Sequence, residues 1–195
     1  MLVGLDEAGV GPAFGSLWAC AAHIPNDVHI PGLTDSKKLT EKRRDRLRKE
    51  IMATCVFGLG EVTQKEIDAR GLGEARRLVF ERALDDLVTR HPDIHIEKLI
   101  VDGTIFRKWR DVAFECIPKA DQTVSHVSAA SVLAKTTRDE QVRRLCDDEP
   151  TLHERYGIRN NKGYLSATHI AGIKEHGYSE YHRRSYTIRG LRTTE

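Results

Sequence analysis

The sequence predicts an α/β protein, a central mixed β-sheet flanked by helices with a helical C-terminal portion over about 147–195. Three observations carry that prediction. Short apolar runs bounded by glycine, proline or charged residues recur up to Ile117 and read as strands. One long helical pattern separates the third and fourth runs, as a crossover connection requires. From Val124 onward the pattern is mostly helical. No internal repeat, low-complexity tract or interdomain linker interrupts the 195 residues, so residues 1–195 are expected to form one domain.

The elements follow in order. Leu2–Asp6 is an apolar run broken by Ala8-Gly9-Val10-Gly11-Pro12, a strand that ends in a loop. Phe14–Ile24, made of small and apolar residues, is a buried strand closed by Pro25. Thr40 caps a helix that begins at Glu41 and continues to about Ala53. Cys55–Val62 is a third strand. Beyond Leu72, the residues Ala75, Val79, Ala83 and Leu87 recur every four positions, an amphipathic helix stopped by Pro92. Lys98–Asp102 and Val112–Ile117 are the fourth and fifth strands. Val124, Val127, Ser131 and Ala134 form a narrow stripe on a helix running to about Cys146, small enough for close approach to a sheet. Leu165–His176 is a further helix ended by Gly177, and the polar tail from Tyr178 is expected to wrap over the body.

Composition narrows the class. A chain of this length buries roughly 70% of its unfolded surface, so its core needs no disulfide staples. With 31 Lys+Arg against 29 Asp+Glu, the charges nearly cancel, which excludes a uniformly basic coat; 39% hydrophobic residues exclude disorder. Cys20, Cys55, Cys116 and Cys146 form no CxxC pair, so free thiols in a reducing compartment are expected. The longest stretch without Asp, Glu, Lys or Arg, Ala8–Asn26, is broken by glycines and prolines and preceded by Asp6 and Glu7. It is expected to be neither a membrane span nor a signal peptide, and the expected location is the cytoplasm.

The informative feature is the placement of the carboxylates. Asp6 and Glu7 end the first strand beside glycines, and Asp102-Gly103 repeats that arrangement. Asp121 follows just before the small-residue helix. Successive strand side chains point to opposite faces, so Asp6 and Glu7 share one site only if the chain turns there, and Gly9 and Gly11 ease such a turn. Any one of these acids alone fits a solvated turn residue. Together at one sheet edge they would repel unless a cation neutralised them, and oxygen-only ligands favour Mg²⁺ or Mn²⁺. Four carboxylates can hold two such ions about 3.5–4 Å apart around a phosphodiester.

Gly4-Leu5-Asp6-Glu7-Ala8-Gly9-Val10-Gly11-Pro12 and Asp35-Ser36-Lys37-Lys38-Leu39 closely resemble the opening of the ribonuclease HII family, the type 2 ribonucleases H. The resemblance continues through Val101-Asp102-Gly103, Lys119-Ala120-Asp121, the run from Ser128 to Asp139, Lys162-Gly163-Tyr164 and His182-Arg183-Arg184-Ser185-Tyr186. Each block alone is weak; their shared order from residue 4 to 186 is specific. The resemblance implies an RNase H-like fold and a metal-dependent endoribonuclease. Its substrates would be RNA·DNA hybrids and duplex DNA with embedded ribonucleotides, cut to leave 3′-hydroxyl and 5′-phosphate ends in ribonucleotide excision repair. It further implies Asp6, Glu7, Asp102 and Asp121 as catalytic, metal-holding carboxylates with a two-metal Mg²⁺ or Mn²⁺ site, Asp6 bridging both ions. Asp139 would take a structural, ion-pairing role.

An enzyme that spares DNA must sense the 2′-hydroxyl. The resemblance assigns that task to the turn Gly9-Val10-Gly11 and to Tyr164, where a bland reading of the turn alone would be a tight bend. Val10 departs from the arginine usual in ribonuclease HII, Asn161 from a common histidine and Leu165 from a usual proline, which puts selectivity for RNA–DNA junctions in question more than catalysis. Ser36 and Lys37 are candidate backbone contacts, while Lys135, Arg138 and the His182-Arg183-Arg184 block are candidate supports of site or substrate. Residues 37–50 carry a local net charge of +5, either a phosphate-binding cluster or an ordinary solvated helix face. His169 and His176 lack a third ligand with matching spacing, so zinc is not expected; Trp18 and Trp109 read as packing residues.

Two other readings compete. One is a ribonuclease HIII-like enzyme with weaker junction preference, whose glycine turn need not contain arginine. That family usually carries an extra N-terminal substrate-binding domain, whereas here the motif begins at residue 4. The other is a non-catalytic RNA·DNA hybrid-binding module. The chain is expected to be a monomer without membrane contact, and no sliding-clamp docking peptide is evident.

Overall fold

The computed structural model of the chain describes residues 1–34, 36 and 39–188. Five strands, β1 (Leu2–Ala8), β2 (Leu17–His23), β3 (Val56–Val62), β4 (Lys98–Asp102) and β5 (Ala113–Ile117), form one mixed sheet in the order β3-β2-β1-β4-β5. β1 pairs antiparallel with β2 and parallel with β4, which pairs parallel with β5. The helices are α1 (Glu41–Thr54), α2 (Gln64–Arg70), α3 (Leu72–Arg90), α4 (Ser125–Asp148), α5 (Thr151–Tyr156), α6 (Ile158–Asn161) and α7 (Ala167–His176). α2 and α3 form the crossover between β3 and β4.

Strand alternation sorts the core onto two faces. Val3, Leu5, Leu17, Ala19 and Ala21 face α3 and meet Val79, Phe80, Ala83 and Leu87. Cys20 and Ala22 face the other way, toward Leu47 and Ile51 of α1 and Ala129, Ala130 and Leu133 of α4. The expected close approach of the small-residue helix is realised at Gly4, where an added Cβ would lie 2.3 Å from the Val127 amide nitrogen. On the opposite face, Gly60 allows α3 equally close, since a Cβ there would lie 2.2 Å from the Val79 carbonyl oxygen.

Differences from the sequence reading have local causes. β1 continues to Ala8, because Glu7 and Ala8 still pair with Ala19 and Trp18 although β4 stops at Asp102. β2 begins only at Leu17: Gly15 has φ +75°, and Phe14 bridges His182 instead. α2, α5 and α6 are too short to produce a periodic signal. α2 does carry a start signal, a capping box between Thr63 and Glu66.

The C-terminal helices enclose a third apolar cluster of Phe14, Val142, Leu152, Tyr156, Ile158 and Ile173. As expected, the tail then wraps back. The Arg183 amide donates to the Ala13 carbonyl at 2.8 Å, and the Arg184 and Ser185 amides each donate to Asp68 of α2 at 2.9 Å. Among the described residues the four cysteines are free thiols, and no helix is long and apolar enough to cross a membrane.

Candidate active site

The parallel pairing of β1 with β4 sets the first two acids. Leu5 is in register with Val101, so Asp6 stands level with Asp102 at the end of the neighbouring strand. Asp6 is buried on the α4 side of the sheet, where the Glu7 amide donates to its Oδ1 at 2.7 Å and Ser131 of α4 hydrogen-bonds it. Burial raises its pKa well above the usual carboxylate range, opposed by the Ser131 hydrogen bond and reinforced by the nearby charges of Glu7 and Asp102. Asp102 Oδ1 is buried without a hydrogen-bond partner among the described residues.

Glu7 points to the opposite face. The chain does not turn between the two acids; they lie on opposite faces at the end of the central strand, and Glu7 Oε1 accepts from Arg76 of α3 through Nε at 3.1 Å and Nη2 at 2.6 Å. Asp6, Glu7 and Asp102 nevertheless border one cavity of about 240 Å³, together with Gly9–Gly11, Ser36, Ser131, Lys135 and Tyr164. Asp121 is not among the lining residues. It is buried in a 3-10 turn, Ala120–Gln122, that follows β5 and leads into α4, and its carbonyl accepts from Ser128 Oγ at 2.7 Å. Asp102 pairs with Ile117 of β5, so Asp121 belongs to the same end of the sheet.

The glycine turn is held from beneath. Gly9 has φ +105°, and a Cβ there would lie 2.5 Å from Nε of the fully buried Arg138. Arg138 donates to the carbonyls of Phe14 and Lys162, each at 3.0 Å, and burial among these groups lowers its pKa to about 10. It therefore supports the turn and does not face the cavity. Arg183, also fully buried, donates to the Gly9 carbonyl at 2.6 Å, the Gly15 carbonyl at 2.8 Å and the Tyr186 hydroxyl at 2.8 Å. Tyr186 in turn donates to the Val10 carbonyl at 2.5 Å. The Tyr164 ring, half exposed, lies across the turn, 3.3 Å from where a Gly11 Cβ would stand.

Other candidates divide. Ser36 Oγ lies 2.9 Å from Ser131 Oγ at the cavity wall; Lys37 lies outside the described residues. Lys135 lines the cavity and pairs with Asp139 at 2.8 Å, which gives Asp139 the expected ion-pairing role. In the basic cluster, Arg44 donates to the Ser36 and Leu39 carbonyls and Arg48 pairs with Glu140, so both are occupied structurally. Trp109 packs in the core, its indole donating to Asp85, and the Trp18 indole donates to Gln141. His169 does not meet His176; its Nε2 lies 2.9 Å from Nε2 of His182. Sequence reasoning missed Arg76 as a partner of Glu7, and nothing in their spacing signals it. Ser131 stands in the small-residue stripe that the sequence shows, but its hydrogen bond to Asp6 is a tertiary contact with no local signal.

Among the described residues no three His, Cys, Asp or Glu side chains converge on one point as metal ligands. The donor set still fits a hard divalent cation: oxygen ligands only, an orphaned buried oxygen on Asp102, and an Asp6 that needs a proton or a cation. A mixed sheet with carboxylates at adjacent strand ends beside a glycine turn defines a ribonuclease H-like, metal-dependent nuclease. The ribonuclease HII family model matches residues 3–189. A ribonuclease HII of Neisseria meningitidis serogroup C is 37% identical over 98% of this chain and 95% of its own length. The crystal structure of ribonuclease H2 from Pyrococcus horikoshii superposes with a TM-score of 0.74 at 27% identity, over 95% of this chain and 93% of that one. Bst-RNase HIII in complex with Mn²⁺ shares the fold, with a TM-score of 0.68 at 22% identity over 89% and 69%. The chain belongs to the ribonuclease HII family. It is a metal-dependent endoribonuclease with ribonuclease H activity.

Proposed function

We propose that this endonuclease hydrolyses the RNA strand of RNA·DNA hybrids and incises duplex DNA at embedded ribonucleotides, leaving 3′-hydroxyl and 5′-phosphate ends. The observation that carries this reading is the meeting of Asp6 and Asp102 on adjacent strand ends, beside the Gly9–Gly11 turn and Tyr164 in one cavity. Asp6, Glu7, Asp102 and Asp121 would hold Mg²⁺ or Mn²⁺, the latter being the ion bound in the Bst relative. Such a pair of ions supplies a nucleophilic water and charge stabilisation for the leaving oxygen.

The chain's own residues do the rest. Ser131 and the Glu7 amide fix the Asp6 carboxylate. Arg183 and Tyr186 occupy the Gly9 and Val10 carbonyls, which holds the turn's amides in place where a sugar hydroxyl can meet them. Tyr164, exposed across the turn, forms the opposite wall against the ribose. Val10 packs partly against the α3-side core, so recognition here runs through the backbone. Lys135, Ser36 and Lys37 are placed in this reading at the nucleic-acid backbone. Its setting is the cytoplasm and ribonucleotide repair.

Cleavage of a duplex containing one ribonucleotide, with Mg²⁺ or Mn²⁺, tests the proposal. Wild-type protein is expected to cut, and Asp6→Asn to bind without cutting. Binding without cleavage by the wild type would instead support a hybrid-binding module.

A further inference from the structure

Arg76 is a cation placed directly on one of the four acids, and nothing in the proposed reaction uses it. Two of its nitrogens, Nε and Nη2, donate to a single oxygen, Glu7 Oε1, at 3.1 and 2.6 Å. The pair lies on the α3 face of the sheet, opposite the side where Asp6 meets Ser131. Glu7 is nearly enclosed, with 10% side-chain exposure against 31% for Arg76, so the pair is screened less than a surface ion pair. A carboxylate that accepts two charge-assisted bonds at one oxygen is a weaker metal ligand while they last, because part of its negative charge is already neutralised.

The guanidinium also has somewhere to go. Arg76 borders a small adjoining cleft of about 60 Å³ with Gly73, Phe80, Ile105 and Phe106, and with the like-charged Arg77 and Arg107 at its rim. Its aliphatic stem can stay against the apolar groups while the head, already 31% exposed, swings outward to water and away from Glu7.

We propose that Arg76 is a positioning residue, a charge latch that competes with a divalent cation for the Glu7 carboxylate at the cavity and is displaced when the ion binds. The inference rests on the reading of Glu7 as a metal ligand. Its consequence is that metal binds the free enzyme more weakly than the acids alone would dictate.

The test is Mn²⁺ titration of the full chain without nucleic acid, by calorimetry or by the electron paramagnetic resonance signal of free Mn²⁺. Arg76→Gln is expected to bind Mn²⁺ about three- to tenfold more tightly than wild type, the range that loss of one charged hydrogen-bonded pair at a partly exposed site gives. Arg76→Lys, which keeps the charge without the fork, should fall between. Unchanged or weaker binding by Arg76→Gln overturns the latch. Glu7→Gln separates the two layers of the argument. It should weaken Mn²⁺ binding by itself, and adding Arg76→Gln to it should then change nothing. If the arginine substitution still tightens binding in that background, Arg76 acts only through its general field, and the latch is wrong. If Glu7→Gln leaves Mn²⁺ affinity intact, the ligand role of Glu7 fails and the latch with it.

Discussion

The guanidinium of Arg183 donates to the carbonyl of Gly9 across 2.6 Å and so ties the C-terminal tail to the turn beside the acids. It is wholly buried and also serves Gly15 and Tyr186. Arg183→Ala would orphan these acceptors and leave a cavity, and we expect it to cost about 3 kcal/mol or more of stability. Urea unfolding measures this. A loss below about 1 kcal/mol would mean that the tail does not hold the turn.

The two glycines of the turn should respond differently to alanine. At Gly9 a Cβ meets the immovable Arg138 at 2.5 Å on a backbone with φ +105°, so Gly9→Ala is expected to destabilise by roughly 3 kcal/mol. At Gly11 the neighbour is the exposed Tyr164 ring at 3.3 Å, which can retreat. Gly11→Ala should therefore spare the fold and behave like Tyr164→Ala, lowering cleavage at a single ribonucleotide more than overall duplex binding. Equal losses in cleavage and binding would remove Tyr164 from sugar recognition.

Restoring the familiar arginine at position 10 tests what its absence does. Val10 rests partly buried against the α3-side core, so Val10→Arg should lose about 1 kcal/mol of stability while adding a cation beside the turn. Preference for RNA–DNA junction substrates is expected to rise. An unchanged substrate ratio would contradict that role for the side chain.

Acid should loosen the C-terminal region through a buried histidine pair. The Ser179 amide donates to His182 Nδ1 at 2.9 Å, and His169 Nδ1 donates to the Tyr164 carbonyl at 2.9 Å. His182 Nε2–H must then donate to His169 Nε2, with both rings neutral. Burial and the facing His169 lower the His182 pKa to about 3, and burial lowers that of His169. The unfolded chain therefore takes up protons first, between about pH 6.5 and 3. Stability is full above that window and falls as pH drops through it, by up to about 1.4 kcal/mol per pH unit from His182, and the lowered His169 pKa acts in the same direction. Urea midpoints at pH 7.5 and 4.5 check this, and His182→Gln should flatten the difference.

Much of this was legible in the chain because strands and long helices leave periodic marks. The Asp6–Glu7 and Asp102–Gly103 junctions, the Gly9–Gly11 turn and Tyr164 were readable as motifs, and the fold brings them to one cavity. Four-residue α6 and the other short helices left no period to read, although Thr63–Glu66 announced the start of α2. Tertiary pairings such as Arg76 with Glu7, or Arg138 beneath Gly9, join residues far apart in sequence whose spacing carries no signal. Arg138 shows the reverse case. It lies in a readable block, yet its role as a buried prop depends on burial that no local pattern encodes.

The most direct measurement is a crystal of the protein soaked in Mn²⁺ and examined by anomalous scattering. Manganese is expected against both Asp6 and Asp102, with Glu7 turned away from Arg76 toward the ion. Manganese bound elsewhere, or none within reach of Asp6 and Asp102, would contradict the metal-dependent cleavage described for this site.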